Sequence, residues 1–318
     1  MTRSRPLVAL GCLGLIVAAC SSSGDVTQPP VGSVASATAP TTVAPTLTAP
    51  TLTTTASVST AVNSKVTLTP GTSWQWQLGG TAIDETVLDA VDNPKKMFDI
   101  DLFTTEASTI DRLHAKGITV ICYMETGAWE SYRPDAAQYP SGLLGNGVDG
   151  FPDERFVDIR QIAVLLPILS ARLDLATSKG CDGIEPDLDD TYNGYTTGFP
   201  LTEADQLAFN HAIADAAHAR GLLIGLKNGA STDGSFERAM VEFTDWALNE
   251  ECNTFDECSG YSVFIEQNKA VFQVEYMHPN GTAVADFCPN DNAANFDGLL
   301  KDASGSLAAL PRVACRFG

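Results

Sequence analysis

The stretch from Cys181 to Tyr192 starts as a short apolar strand and ends in a cluster of carboxylates. Side chains alternate along a strand, so Glu185 and Asp187 are expected to point to the same side. Such a pair is costly for folding, because like charges repel and burial disfavours the ionised form. In α/β folds, functional residues stand at the carboxyl ends of strands, which is where this pair is predicted to lie. The position therefore favours chemistry over a solvated loop or a helix cap.

Other polar side chains stand at or near the ends of further predicted strands. They are Asp99, Asp101, Tyr123, Glu125, Lys227, Asn228, Glu250 and Glu275. Such a ring suits glycoside hydrolysis, in which one carboxylic acid protonates the leaving oxygen and another carboxylate attacks or activates water. Lys227 would either touch the substrate or neutralise buried acids. Trp129, in the loop after the third strand, is the tryptophan best placed to stack on a sugar.

The sequence offers little support for other chemistries. No Ser or Cys occupies a nucleophile elbow, no C-x-x-C occurs, and the four histidines lack ligand spacing. A metal site and a cofactor are therefore not expected. The segment 145–150 matches G-x-G-x-x-G, but it precedes a strand and not a helix N-terminus, so it is rejected as a phosphate site. It is expected to form a flexible loop over the mouth of the fold.

The chemistry-bearing residues are positioned by alternating strands and helices. The predicted strands are Trp74–Leu78, Met97–Leu102, Thr119–Met124, Arg155–Ile159, Gly183–Leu188, Leu222–Lys227, Asp245–Glu250 and Val271–Tyr276. The clearest helices are Ala107–Lys116, Ile162–Lys179, Glu203–Arg220 and Phe236–Phe243. Three of these patterns stop at or just before Gly, and Thr202 with Asp205 predicts an N-cap. Eight β–α units favour an α/β fold with a single (β/α)8 TIM-type barrel over residues 71–318, the alternative being a doubly wound open sheet.

The first 70 residues carry targeting and linker patterns. Residues 1–19 have a basic start and an apolar stretch typical of a signal peptide. The residues before Cys20 resemble a bacterial lipobox, which implies cleavage there and lipidation of Cys20; an ordinary signal peptide is the alternative. Residues 20–70 are rich in Ser, Thr, Ala and Pro and predict a disordered tether. We expect an exported lipoprotein anchored to a cell membrane on its extracytoplasmic side.

The charge of the chain limits its partners. Nineteen basic and 39 acidic residues give a net charge of −20, and the acidic excess lies after residue 70. This balance argues against nucleic acid and suits a cationic ligand, although acidity can also serve solubility. We expect a monomer.

Apart from Cys20, six cysteines follow the predicted targeting segment. In an oxidising compartment an even set predicts disulfides, with 15 possible connectivities. Proximity favours Cys252–Cys258 and Cys288–Cys315, and leaves Cys122 and Cys181 to pair or stay as thiols.

Five motifs occur in order: Val120–Glu130, Asp158–Arg160, Gly180–Asp187, Gly225–Asn228 and Leu248–Cys252. With them, residues 72–315 resemble the endo-α-1,4-polygalactosaminidase family of glycoside hydrolases, family 114. The resemblance implies a TIM-type barrel and metal-free hydrolysis of an α-1,4-linked galactosamine polymer, which is cationic or partly N-acetylated. It also implies that Asp187 is the nucleophile or base and Glu250 the general acid. The acid at Glu125 departs from the family pattern.

Two other functions are open to such a chain. A non-catalytic barrel could bind polysaccharide at the cell surface with the same ring of acids. A deacetylase or esterase is disfavoured, because neither a metal triad nor a serine nucleophile is visible. The sequence leaves open whether a glycosidase of this kind would retain or invert the anomeric centre.

Overall fold

The computed structural model describes residues 66–80, 82–277, 282–304 and 306–317. The predicted signal peptide, the lipidation site Cys20 and the tether up to residue 65 lie outside these residues. Residues 66–70, which the sequence assigned to the tether, pack on the folded domain. Leu68 is buried, and its carbonyl accepts a hydrogen bond from the Ala270 amide. The folded part therefore begins before residue 71.

The described residues form strands and helices in the following order. The strands are β1 (Ser73–Gln77), β2 (Lys96–Asp101), β3 (Thr119–Glu125), β4 (Ala128–Glu130), β5 (Leu144–Val148), β6 (Phe151–Val157), β7 (Gly183–Asp187), β8 (Leu223–Lys227), β9 (Trp246–Glu250), β10 (Val271–Met277), β11 (Asp297–Asp302) and β12 (Val313–Ala314). The helices are α1 (Ala107–Ala115), α2 (Ile162–Lys179), α3 (Glu203–His218), α4 (Ser235–Met240), α5 (Cys252–Phe255), α6 (Ser262–Glu266) and α7 (Val284–Ala294).

Eight strands run parallel in one curled sheet, in the order β1-β2-β3-β7-β8-β9-β10-β11. The expected TIM-type α/β fold is thereby confirmed. The C-terminal segment crosses from the last strand to the first. The Trp74 indole donates to the Asp297 carbonyl at 2.8 Å, and Arg312 donates to the Trp74 carbonyl at 2.8 Å.

One predicted barrel strand was wrong. Residues 155–157 belong to β6, which pairs antiparallel with β4 and β5 in a separate small sheet, and Asp158 and Ile159 lie beyond its end. Most of β6 is exposed or half-buried, whereas a barrel strand such as β10 is buried along almost its whole length. The eighth parallel strand is β11, which was not predicted because charged residues lie at both of its ends. The segment 145–150, expected as a flexible loop, supplies most of β5 and the turn to β6.

Successive side chains of β7 point alternately to the apolar core outside the sheet and to its interior. Ile184 faces outward and packs in one apolar cluster with Leu173 of α2 and Phe209 of α3. Glu185 and Asp187 therefore face the interior of the curled sheet. The helices that cover the strands end as the sequence predicts. Gly180 caps α2 with φ 92°, a left-handed conformation that a side chain would disfavour.

The N-cap prediction for α3 is confirmed. The Thr202 side chain accepts from the Asp205 amide, and the Asp205 carboxylate accepts from the Thr202 amide. The structure also contains three disulfides, Cys122–Cys181, Cys252–Cys258 and Cys288–Cys315. Cys122–Cys181 ties β3 to Cys181, which lies two residues before the start of β7. Within the described ranges, no helix is both long enough and apolar enough to cross a membrane.

Candidate active site

A cavity of about 450 Å³ opens at the carboxyl ends of the parallel strands. Six strands of the barrel each send one side chain into its floor. These are Trp76, Tyr123, Asp187, Lys227, Glu250 and Tyr276. The floor therefore combines two carboxylates, one ammonium group and three aromatic side chains, two of which carry hydroxyl groups.

Lys227 is the central cation of the floor. Its Nζ lies 2.9 Å from Asp187 Oδ1, 3.3 Å from Glu250 Oε2 and 3.0 Å from Glu185 Oε1. The ammonium also lies 4.8 Å from the centre of the Trp76 ring, within cation–π range. Burial disfavours its charge, but the three carboxylates outweigh burial and hold the pKa of Lys227 well above its usual value. The side chain is a permanent positive charge between two acids.

Asp187 receives a second donor on its other oxygen. The Tyr123 hydroxyl donates to Asp187 Oδ2 at 3.2 Å. Burial raises the pKa of Tyr123 well above its usual value and the charge of Asp187 adds to this, so the hydroxyl keeps its proton. Both Asp187 oxygens are thus held in place, one by Lys227 and the other by Tyr123. About a quarter of the side chain is exposed to the cavity.

Glu250 is oriented by neighbours on both adjoining strands. The Tyr276 hydroxyl donates to Oε1 from β10. The Asn228 amide donates to Oε2 at 3.1 Å from the end of β8, and Asn228 Oδ1 accepts the Glu250 backbone amide at 2.9 Å. Two hydrogen bonds between the same pair of residues fix the direction of the Glu250 side chain.

The chain turns sharply directly after each of these three functional positions. Leu188, Asn228 and Glu251 follow Asp187, Lys227 and Glu250, and adopt φ values of 52°, 51° and 62°. Left-handed conformations cost non-glycine residues roughly 1–2 kcal/mol each. Strain repeated at three strand ends indicates a site whose geometry is maintained at the expense of stability.

The two candidate catalytic carboxylates lie close together. Because both contact Lys227 Nζ, Asp187 Oδ1 and Glu250 Oε2 are at most about 6.2 Å apart, below the roughly 6.5–9.5 Å of inverting glycosidases. Retaining enzymes hold their carboxyl groups about 5–5.5 Å apart. This upper limit lies below the inverting range and is compatible with the retaining one.

The structure brings seven of the eleven predicted site residues to the cavity wall. They are Asp101, Tyr123, Glu125, Asp187, Lys227, Asn228 and Glu250. Two of these residues, Glu125 and Asp101, also form hydrogen bonds or ion pairs with neighbouring parts of the chain. Glu125 Oε1 accepts the Gly127 and Ala128 amides, and Asp101 forms an ion pair of 2.7 Å with Arg133.

The pKa values of these two carboxyl groups move in opposite directions. Burial, with the charge of Asp187, raises the pKa of Glu125 well above its usual value. Burial also acts to raise the pKa of Asp101, but its hydrogen bonds to Arg133 and Thr104 outweigh burial and lower it. Asp101 is therefore the ionised member of the two.

Four predicted substrate-binding residues lie away from the cavity. Trp129 lies on β4 of the small sheet formed by β4, β6 and β5, here called the hairpin sheet; its indole N–H donates to the Ala136 carbonyl and its ring packs against the core. Glu275 caps α5, accepting the Asn253 amide and the Thr254 hydroxyl. Asp99 and Glu185 point inward as expected but are fully buried beneath the floor. Sequence alternation gives the face of a strand and not the depth at which a side chain lies.

Several cavity residues were missed from the sequence. Tyr276 was overlooked in favour of its neighbour Glu275, although alternation from the buried strand could have suggested it. The hairpin sheet adds Glu130, Tyr132 and Glu154, with the Tyr132 hydroxyl 2.8 Å from Glu130 and 3.1 Å from Glu154. Burial and the charge of Glu130 raise the pKa of Glu154 to about 7. Glu130 ends the motif Val120–Glu130, and segment 145–150 was expected over the mouth of the fold, but no pattern marked Tyr132 or Glu154 as cavity residues.

The wall of the cavity is strongly acidic. Eight carboxylate side chains face two cations, Lys227 and Arg133; the acids are Asp101, Glu125, Glu130, Asp153, Glu154, Asp187, Glu250 and Glu251. Such a cavity attracts a cationic ligand. In the described part of the chain, no group of His, Cys, Asp and Glu is placed to hold a metal ion.

Comparison with known proteins agrees with this geometry. The model of glycoside-hydrolase family GH114 matches residues 55–313. The chain belongs to this family. It is a glycoside hydrolase, as the order of its motifs predicted. No curated protein sequence matches the chain.

Solved structures extend the comparison. The crystal structure of Ega3 from Aspergillus fumigatus, in complex with galactosamine, is 34% identical and superposes with a TM-score of 0.68, covering 77% of this chain and 96% of Ega3. The glycoside hydrolase domain of PelA from Pseudomonas aeruginosa shares the fold at 10% identity and a TM-score of 0.55, covering 76% of this chain and 98% of that domain.

Proposed function

We propose that this glycoside hydrolase is an endo-acting enzyme that cleaves α-1,4-linked galactosamine polysaccharide with retention of configuration. The observation that carries the proposal is the pair of carboxylates, Asp187 and Glu250, bridged by one lysine on the floor of an acidic cavity. The similarity to Ega3, whose structure holds galactosamine, supports the choice of sugar.

In the first step, ionised Asp187 attacks the anomeric carbon, and protonated Glu250 gives its proton to the leaving glycosidic oxygen. The C–O bond to the leaving chain breaks, and an ester forms between the sugar and Asp187. In the second step, Glu250 takes a proton from water, and the hydroxide attacks the anomeric carbon. The ester bond breaks, and both carboxyl groups return to their starting states.

Lys227 and the tyrosines serve these steps by position. Lys227 stays positively charged beside Asp187, and its ammonium attracts the carboxylate that attacks the anomeric carbon. After Glu250 has lost its proton, Tyr276 and Asn228 donate to the carboxylate that appears. The donors are already in place, so no reorganisation is needed when the charge forms.

The acidic wall gives a reason for the substrate. A deacetylated galactosamine polymer is a polycation, and the ionised acids among the eight of the wall would raise its local concentration in the cleft. A partly N-acetylated polymer would offer fewer ammonium groups. We expect binding to weaken with added salt, because charge attraction between exposed groups is screened.

The test compares Asp187→Asn and Glu250→Gln with the wild type on galactosamine-rich polymer, with released oligosaccharides measured by mass spectrometry. Asp174→Asn, an exposed acid on α2, is the matched control. We expect oligosaccharides from the wild type and the control, and at least a hundredfold loss in both site variants. If the wild type binds the polymer and releases nothing, the alternative of a non-catalytic binding barrel is correct instead.

We further propose that the protein is an exported monomer anchored through lipid on Cys20 and without affinity for nucleic acid. The signal-like residues 1–19 and the acidic charge support this. Metabolic labelling with a fatty acid should mark the wild type and not Cys20→Ala. Labelling of both, or of neither, would contradict the anchor.

A further inference from the structure

Asp99 is a carboxylic acid sealed beneath the floor of the active site. It lies on β2, faces the interior of the barrel and has no exposed surface. Among the described residues, neither of its side-chain oxygens has a hydrogen-bond partner of good geometry, and the nearby Ile100 backbone amide favours its charge less than burial opposes it. Its polar neighbour is the carboxyl group of Glu185, with which it is in hydrogen-bonding contact. An ionised carboxylate without a donor is not stable at such depth.

Glu185 has the donors that Asp99 lacks. The Trp76 indole donates to Glu185 Oε2 at 2.9 Å, and Lys227 Nζ lies 3.0 Å from Oε1. Two buried carboxyl groups in contact cannot both ionise, so the pair holds one proton. The proton belongs on Asp99, because Glu185 has a cation and an N–H to stabilise its charge. Burial, with the charge of Glu185, raises the pKa of Asp99 well above its usual value, in agreement with this assignment.

The pair connects directly to the catalytic carboxylates through Lys227. The ammonium contacts Glu185 below and both Asp187 and Glu250 above. The charged and titratable groups that face this layer from the surrounding strands are Lys227, Asp187, Glu250, Tyr123 and Tyr276. Without a negative charge on Glu185, Lys227 would be free to move toward Asp187.

We propose that Glu185 is a positioning residue whose charge, kept by a proton stored on Asp99, holds Lys227 between the nucleophile and the general acid. Asp99 and Glu185 were predicted to bind substrate. Their burial beneath Trp76 and Lys227 assigns them to this supporting layer. The role rests on the proposed function, because it is defined by the two catalytic carboxylates.

The test measures the pH dependence of kcat/KM for the wild type, Glu185→Gln and Asp99→Asn. Gln removes a negative charge from beside Lys227 and the two catalytic carboxyl groups. We expect the acid limb of the profile to move to lower pH by on the order of one unit, with a loss in kcat and little change in KM. Asn imitates protonated Asp99 in shape and in donating to Glu185, so both limbs should keep their wild-type positions.

Two outcomes would overturn the inference. One is a Glu185→Gln profile whose limbs stay in place while its amplitude falls, as a merely structural role predicts. The other is an Asp99→Asn profile that shifts as Glu185→Gln does, which would mean that Asp99 is ionised.

An infrared measurement separates this inference from the proposed function. The wild type at neutral pH should show the C=O stretching band of a buried, protonated carboxyl group, and the part due to Asp99 should vanish in Asp99→Asn. This reading needs no substrate and no active variant. If the wild type fails to cleave the polymer but the band is lost in the variant, the proposed function is wrong and the stored proton stands. Should Asp99→Asn not fold, absence of such a band in the wild type alone would refute the stored proton.

Discussion

Replacing Asp99 by Asn should make the protein more stable, by an amount that grows with pH. Folding raises the pKa of Asp99 above its value in the unfolded chain, so the folded state must hold a proton that the unfolded state has released. For such a group, stability is fully present below the unfolded pKa of about 3.9 and is lost as pH rises toward the folded pKa. Asn carries no titrating proton, so the variant does not lose folding stability in this way as the pH rises.

The size of the effect follows from one proton. Each pH unit in this window costs the wild type about 1.4 kcal/mol for each proton held only in the folded state. From pH 5 to pH 7, the advantage of the variant should therefore grow by up to about 2.7 kcal/mol, the value for a proton held throughout this range. For a domain of this size, that corresponds to a rise in Tm, relative to the wild type, of about 5–10 °C.

The assay is thermal unfolding at pH 5, 6 and 7 with the three disulfides intact. Asp101→Asn on the same strand is the matched control. Hydrogen bonds to Arg133 lower the pKa of Asp101 despite its burial. The ionised carboxylate therefore stabilises the folded state fully above the unfolded pKa, and this stabilisation is lost only as the pH falls toward the folded pKa. The control should be less stable by the same amount at all three values. A difference between Asp99→Asn and the wild type that is constant or shrinks with pH would refute the buried proton.

Two further substitutions test the wall and the floor of the cavity. Tyr276→Phe removes the hydroxyl that donates to Glu250, so kcat should fall about 10- to 100-fold while Tm changes little; a loss confined to KM would contradict that role. Glu154→Gln should raise KM for deacetylated oligosaccharides about tenfold and leave KM for fully N-acetylated ones unchanged, because only the former carry an ammonium group for the wall. Equal changes for both substrates, measured in parallel kinetic assays, would show that Glu154 does not recognise the amine.

Much of the framework could be predicted from local pattern. Continuous apolar runs marked seven of the eight parallel strands, and strand ends pointed to Asp187, Lys227 and Glu250 because parallel strands share one carboxyl edge. The eighth strand, β11, was hidden because its Asp297 and Lys301 are charged although both are buried. Their partners lie just before β1 and after β11, and no apolar or alternating pattern in the sequence indicates these contacts. Asp297 accepts the Gly71 amide, and Lys301 donates to the Ala308 carbonyl.

The remainder of the site depends on tertiary geometry. A period of two shows that Glu185 and Asp187 share a face, but only packing beneath Trp76 decides that one is sealed and the other exposed. Likewise, the β5–β6 hairpin, which carries Glu154 to the wall, is held in position by contacts with the loop after β7. The Asn146 amide N–H, for example, donates to the Thr197 carbonyl at 2.9 Å. Contacts of this kind join residues distant in sequence and leave no periodic signal.

The proposed reaction requires Asp187 and Glu250 to act as a closely spaced nucleophile and acid on a galactosamine polymer. Proton NMR of the first sugar released from an α-1,4-linked galactosamine oligomer, recorded before mutarotation, tests this most directly. A retaining mechanism on an α-linkage predicts that the α-anomer appears first and converts slowly to the equilibrium mixture. A β-anomer as the first product, or no product at all, would contradict it.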